Sequence, residues 1–430
     1  MRVAATRAAL ACVLCLTAAL VLVPAHASAR GPALPVGLRA AALYVPATGQ
    51  TLYADHAEVQ RPIASTTKMM TALVTLQHVH DLDTVFAYPD YHQAADDSQI
   101  GLRPGDRMTV RDLVIAMMLP SADDAAQDLA ENVGRGSVSR FISWMNADAR
   151  RLGLRHTHFS TPIGLDSPGN YSTAADLTRL AEYDLAHFPF FARVVKLAHA
   201  TLTTGPAPEV QNLNLLVGEY PWVTGVKTGH TSGAGWVLVA AGRRDGMRLI
   251  SSALGVESDA GSDEDALALL DYGYAHFALR TPVRADEVVA RLRVRDRPGL
   301  RVPVRAVRSW TRVLARDADV HVDVDLPRQL SGPLPVGAIV GSAQVRDGSR
   351  TLARVPIVLD RRLAAVSRLT IAARFMTRPW MLAILAIVVV GSVAVALLML
   401  GGFPRAGRRR AASRVARRRR PRGYGTGWDA

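Results

Sequence analysis

The hydrophobic pattern of the chain has two apolar runs near its ends and shorter periodic segments between them. Residues 8–23 are mainly apolar, preceded by Arg2 and Arg7 and followed by Ala25-His26-Ala27. A short apolar stretch between a basic start and a small-x-small site is the layout of a secretory signal peptide, so residues 1–27 are expected to be cleaved. An uncleaved anchor is the alternative, but the run is shorter than the ~20 residues a spanning helix needs. Residues 380–403 contain no charged side chain. As a helix they would extend roughly 36 Å, more than the ~30 Å hydrocarbon core, which predicts a tilted transmembrane helix. The basic tail 404–430 is then expected in the cytoplasm, and everything between the two runs outside it.

Between the runs the periodicity changes twice. Apolar and polar residues alternate on both sides of Pro46-Ala47-Thr48-Gly49, predicting a hairpin of strands 41–45 and 51–53. After Pro62, residues 65–76 are apolar nearly all round, as in a buried helix, and Ser65 and Lys68 fall in its first turn. Amphipathic spacing predicts helices over 110–118, 122–133 and 139–152. Strands 235–241 and 247–253 flank the turn signal Arg243-Arg244-Asp245-Gly246, and a helix over 263–275 follows. Strands, then helices, then strands describe an α+β fold, an antiparallel sheet flanked by helices, over 28–280. From 283 to 359 short period-2 segments such as Val320-His321-Val322-Asp323-Val324-Asp325 are separated by Arg297-Pro298-Gly299, Ser331-Gly332-Pro333 and Asp347-Gly348. This predicts a small all-β domain over 281–360, joined to the membrane helix by a basic connector over 361–379.

Composition then removes several kinds of chemistry. With 430 residues, 49% hydrophobic and 20% charged, the chain is long enough for two domains with their own cores. Ten of its 51 basic residues are arginines between Arg405 and Arg422; without these, Arg2, Arg7 and Asp429, the formal charge of +14 falls to +3. The basicity therefore belongs to a tail suited to anionic lipid headgroups, and no nucleic-acid-binding body is implied. Both cysteines, Cys12 and Cys15, lie in the signal segment. The mature chain is expected to have no thiol nucleophile, no cysteine-based metal site and no disulfide. His156-x-His158 reads as surface loop, and neither a metal nor a cofactor is expected.

Three short motifs carry candidate chemistry. Ser65-x-x-Lys68 places a hydroxyl and an amine on one helix face. A lysine in a largely apolar turn loses hydration, which disfavours its charged form and makes it a usable base toward the serine. The same pair also suits an N-cap serine with a snorkelling lysine. Ser121-Ala122-Asp123 opens a helix after Leu119-Pro120. Lys227-Thr228-Gly229 precedes His230 on a strand, where glycine admits a closely approaching ligand and lysine with threonine suits a carboxylate. Each signal is weak alone. Their order, Ser-x-x-Lys, Ser-x-polar, Lys-Thr-Gly, is the pattern of penicillin-binding proteins and class A β-lactamases. With Tyr171-Ser172-Thr173-Ala174-Ala175-Asp176-Leu177, Asn212-x-Asn214-x-Leu216 and Gly225-Val226-Lys227-Thr228-Gly229-His230-Thr231, the chain resembles the D-alanyl-D-alanine carboxypeptidases, the low-molecular-mass penicillin-binding proteins, over roughly 38–359.

The resemblance implies a penicillin-sensitive serine peptidase of the cell wall, anchored in a bacterial cell membrane with its catalytic domain outside. It would remove the terminal D-alanine from peptidoglycan stem pentapeptides and be acylated by β-lactams. Ser65 would be the nucleophile, Lys68 its base, helped by the second cation Lys227, and Ser121 a proton relay to the leaving amine. Lys227 and Thr228 would hold the substrate carboxylate beside Gly229, and the backbone N–H groups of Ser65 and His230 would form the oxyanion hole. The His230 imidazole is expected to line the cleft. At position 123 the family usually has asparagine; Asp123, when ionised, only accepts hydrogen bonds, and it favours a protonated Lys68. Reduced or altered activity is expected from it. A DD-endopeptidase, a β-lactamase and a weakly active stem-peptide-binding scaffold are the alternatives. The β-lactamase is disfavoured because residues 156–173 contain no glutamate.

Overall fold

The computed structural model describes residues 38–89, 98–285, 287–295, 297–365, 367, 372–373 and 375–400. The expected signal segment 1–27, the arginine tail 404–430 and positions 401–403 of the expected membrane helix lie outside them. Backbone contacts separate two compact units. Val304–Leu326 and Ile339–Val358 cluster with the chain up to Val289, whereas Ala290–Pro303 and Pro327–Ala338 cluster with the chain from Leu359 onward.

The first unit begins with strands β1 (Ala40–Val45) and β2 (Gln50–Asp55), a 3₁₀ turn Ala64–Thr67 and helix α1 (Lys68–His78). Next come β3 (Val85–Ala87), β4 (Arg107–Thr109), α2 (Val110–Met118), α3 (Asp123–Val133), α4 (Val138–Arg151), α5 (Ala174–His187) and α6 (Pro189–Val194). They are followed by β5 (His199–Thr201), β6 (Glu209–Gln211), α7 (Leu216–Glu219), β7 (Val223–Thr231), β8 (Gly235–Arg244), β9 (Met247–Val256) and α8 (Asp259–His276). The central sheet has the order β2-β1-β9-β8-β7 and is antiparallel throughout. Both of its faces are covered, which explains why β8 reads as a continuous apolar run. Val237, Val239 and Ala241 join the core with α1 to α5, while Leu238 and Ala240 join the core with α8. The β8–β9 turn has positive φ at Asp245 and Gly246, 49° and 76°, as the two-residue hairpin signal requires.

Three helical features differ from the sequence expectation. The stretch 65–76 is not one helix: Ser65 sits in the 3₁₀ turn, behind Ala64 at φ 48°, and α1 starts only at Lys68. The helix expected over 263–275 begins at Asp259, because the Ser258 side chain caps it by accepting from the Gly261 N–H. Helix α5, which the periodicity did not announce, is capped by Thr173, which accepts from the Asp176 N–H at 3.1 Å.

Further along are β10 (Phe277–Val283), β11 (Val288–Val294), β12 (Arg297–Ala306), β13 (Trp310–Ala315), β14 (Val320–Asp325), β15 (Gln329–Leu330), β16 (Ile339–Asp347) and β17 (Arg350–Leu359). β10 pairs with β13, β14 and β17 flank β16 in antiparallel register, and β11 pairs with β15 in parallel. Helix α9 (Pro379–Leu400) has 22 residues, none charged, and its side chains are mostly exposed. That length and composition suit a membrane anchor. The architecture is therefore α+β: helices around an antiparallel sheet, then an all-β domain, then a long apolar helix.

Candidate active site

The Ser65 side is built by the turn ahead of α1. Ile63 is buried, and its carbonyl accepts from the Thr66 hydroxyl at 2.6 Å, which tightens the turn that presents Ser65. Lys68, one turn on, is fully buried. A buried ammonium costs several kcal/mol unless oxygens surround it. Here Nζ donates to Ser65 Oγ at 2.7 Å and to the Ile163 carbonyl at 2.7 Å, and lies 2.5 Å from Asp123 Oδ1. Serine and lysine are thus in hydrogen-bond contact, the geometry of a nucleophile with its base.

The second wall is the α2–α3 connection. Ser121 adopts φ 65°, unusual for a residue with a side chain. Neighbouring segments fix it: the Asp123 N–H donates to the Ser98 carbonyl at 2.7 Å, and the Leu213 N–H to the Leu119 carbonyl at 3.1 Å. Asp124 accepts from the backbone N–H groups of Ile100, Gly101 and Leu102, so the first turn of α3 also organises the segment in front of it. Ser121 Oγ is buried and has no hydrogen-bond partner among the described residues.

Strand β7 forms the third wall. Lys227 lies opposite Val239 and so points toward α1. It is buried, and Nζ donates to the Thr228 carbonyl at 2.9 Å. Burial first, and then the charge of Lys68, push Lys227 well below the usual lysine range, with Asp123 opposing. At Gly229 a Cβ would sit 2.9 Å from the Ser65 nitrogen and 3.0 Å from Ala64 Cβ, so only glycine lets this strand run so close to the turn that carries Ser65. The His230 ring packs on Trp236, with centroids 4.3 Å apart and planes at 30°.

Ser65, Ser121, Thr228, Gly229 and His230 line one cleft of about 390 Å³, with Lys68, Asp123 and Lys227 buried around it. The structure thus gathers every candidate residue singled out in the sequence. Ser98, Gln211, Leu213, Leu215, Trp236 and Asp259 also line the cleft and carried no motif of their own. The Asn212-x-Asn214 spacing held the one available signal: Asn212 donates to the Leu197 carbonyl and accepts from the Asn214 N–H, a local fold that leaves Leu213 and Leu215 half-exposed at the cleft. His156 instead pairs with Glu58, and His158 bonds to the Gly169 carbonyl. Among the described residues no group of three potential metal ligands occurs.

A half-buried serine bonded to a buried lysine and facing a Lys-Thr-Gly strand is the motif arrangement of the penicillin-binding proteins. The sequence profile of the family described as D-alanyl-D-alanine carboxypeptidase matches residues 35–258. A D-alanyl-D-alanine carboxypeptidase of Streptomyces sp. strain K15 is 37% identical over 53% of this chain and 84% of its own length. The carboxypeptidase DacC of Escherichia coli is 31% identical over 73% of this chain and 81% of its own. Among solved structures, penicillin binding protein 6B from Escherichia coli superposes with a TM-score of 0.63 at 27% identity, covering 77% of this chain and 98% of that one. The chain belongs to the peptidase S11 family of D-alanyl-D-alanine carboxypeptidases, the low-molecular-mass penicillin-binding proteins.

Proposed function

We propose that the protein is a membrane-anchored serine D-Ala-D-Ala carboxypeptidase that trims peptidoglycan stem pentapeptides and is acylated by penicillins. The observation that carries this reading is the 2.7 Å contact between Ser65 Oγ and Lys68 Nζ, in a cleft whose facing strand presents Thr228 and Gly229 above Lys227. In its amine form Lys68 takes the Ser65 proton as Oγ attacks the carbonyl between the two terminal D-alanines. The developing oxyanion is received by the N–H groups of Ser65 and His230, a type of interaction worth about 10²–10³ in rate per donor. Ser121, whose hydroxyl is unpartnered among the described residues, relays the proton held by Lys68 to the leaving amine, so D-alanine departs and Lys68 is an amine again. Water then attacks the ester, oxygen replaces Oγ on the acyl carbon, and Ser65 regains its proton. Lys227 and Thr228 hold the terminal carboxylate, so peptides amidated at that end are poor substrates. The apolar helix α9 anchors the chain with this cleft on the outer face.

Asp123 supports a second reading. Its carboxylate lies close enough to Lys68 to keep a proton on it, which describes a protein that binds stem peptides and hydrolyses them slowly. One experiment separates the two. The full chain in detergent is incubated with a stem pentapeptide and, separately, with a labelled penicillin. D-alanine release and a stable label, both lost in Ser65→Ala, support the carboxypeptidase. A bound but uncut peptide supports the scaffold, cleavage of cross-linked dimers the endopeptidase, and rapid drug turnover the β-lactamase.

A further inference from the structure

The loop ahead of α5 touches both walls of the cleft within five residues. On the nucleophile side, the Pro162 carbonyl accepts from the Thr71 hydroxyl at 2.6 Å and the Ile163 carbonyl accepts from Lys68 Nζ at 2.7 Å. Gly164, at φ 102°, presses against the nucleophile turn so closely that a Cβ would lie 2.1 Å from the Ala64 carbonyl oxygen and 3.0 Å from the Ser65 nitrogen. Two residues further on, the loop grips the other wall. Asp166 Oδ1 accepts from the Thr231 hydroxyl at 2.7 Å, and Oδ2 accepts from the Gly233 N–H at 2.8 Å. These partners belong to the β7–β8 turn directly after His230, and Thr231 Oγ1 in turn accepts from the Ala234 N–H at 3.1 Å. A Cβ on Gly233 would lie 2.7 Å from the Asp166 carboxylate, so the turn is shaped to receive it.

We propose that Asp166 is a positioning residue: through 162–166 it fixes the separation between Ser65 with Lys68 on one side and the His230 N–H on the other, and so sets the rate at which Ser65 is acylated. The geometry favours a positional role over an electrostatic one. Both carboxylate oxygens are used as acceptors from neutral groups, and asparagine at this position satisfies the same turn, its oxygen accepting from Gly233 and its amide donating to Thr231 Oγ1. Without either, the β7–β8 turn loses its tie to the loop, and a displacement on the scale of 1 Å costs about 10²-fold in rate.

The kinetic part of this inference rests on the carboxypeptidase reading, and a second readout is independent of it. In the full chain in detergent, Asp166→Ala, Asp166→Asn and Thr231→Val are compared with the wild type by the rate of penicillin acylation and by hydrogen exchange over 229–234. The expected result is a roughly 10- to 100-fold slower acylation in Asp166→Ala with faster exchange over that turn. Asp166→Asn is expected to restore both nearly to wild type, and Thr231→Val to lie between. Unchanged exchange and acylation in Asp166→Ala overturn the proposal. Asparagine as slow as alanine also overturns it, since charge and not position would then be responsible. Should Asp166→Ala fail to fold, Thr231→Val with wild-type rate and exchange overturns it equally. A wild type that is never acylated refutes the carboxypeptidase reading alone, and the exchange comparison still decides whether Asp166 holds the turn.

Discussion

The two faces of the central sheet are built from different materials. Toward α8 the sheet residues Leu43, Val45, Leu238, Ala240 and Leu249 meet Ala266 and Leu270 of the helix in a hydrocarbon layer stabilised by area removed from water. Toward α1 and α3 it meets an equally apolar core that also encloses Lys68, Lys227, Asp123 and Asp128. Charges buried to this extent are unfavourable for stability unless paired, and the grouping of Lys68, Lys227 and Asp123 around one cleft on the α1 face is the pattern of a functional site. The α8 face supports the strands in register; on the α1 face the same strands hold Ser65, Lys68 and β7 at fixed spacing.

Substitutions on the two faces should separate these properties. The largest effect is expected from Ser65→Ala, which lowers D-alanine release by about 10⁴-fold or more while the melting temperature stays close to wild type; a retained rate would break the comparison at its centre. On the opposite face, Leu270→Ala is expected to lower unfolding free energy by about 2–5 kcal/mol, read by urea titration, with acylation of the folded protein unchanged. Equal losses of stability and rate would show that the faces are not separable.

Asp128 gives a pH-dependent contrast. Burial, with the Asp124 charge adding and the Asn132 hydrogen bond opposing, raises its carboxyl from 3.8 to about 7. Between those two values the folded protein binds more protons at this site than the unfolded chain, so stability falls as pH rises through that window. Asp128→Asn is therefore expected to stabilise the protein by about 2–4 kcal/mol at pH 8, with no gain below about pH 4, measured by thermal or urea unfolding across pH. A gain independent of pH would remove the titration as its cause. The smallest effect is expected from Asp123→Asn, a roughly 3- to 10-fold rise in D-alanine release as Lys68 loses its carboxylate partner, about 1 kcal/mol of barrier. An unchanged or lower rate would mean that Asp123 does not limit catalysis.

How far the sequence could reveal this arrangement depended on whether a feature was periodic or local. Strands β1, β8 and β9 and helices α2 and α3 follow from apolar spacing and turn residues, because burial on a regular element leaves a regular trace. Ser65, Lys68 and Lys227 were legible because their types and order are unusual for an apolar helix and strand. The 3₁₀ turn under Ser65 was not, since it depends on Ala64 taking a positive φ against Gly164, a contact across 100 positions of chain. The loop 162–166 contributes two backbone carbonyls, those of Pro162 and Ile163, a glycine and Asp166, and a backbone acceptor leaves no residue-type signal. Likewise Leu213, Trp236 and Asp259 come from three separate segments, brought together only by folding.

The central claim is that a hydroxyl in contact with a buried amine is the reactive group. Its most direct test is peptide mapping by mass spectrometry after the intact protein meets benzylpenicillin. The account predicts one stoichiometric adduct, on the peptide carrying Ser65, absent when Lys68 is replaced by alanine. An adduct on any other residue, or one formed as fast without Lys68, would contradict it.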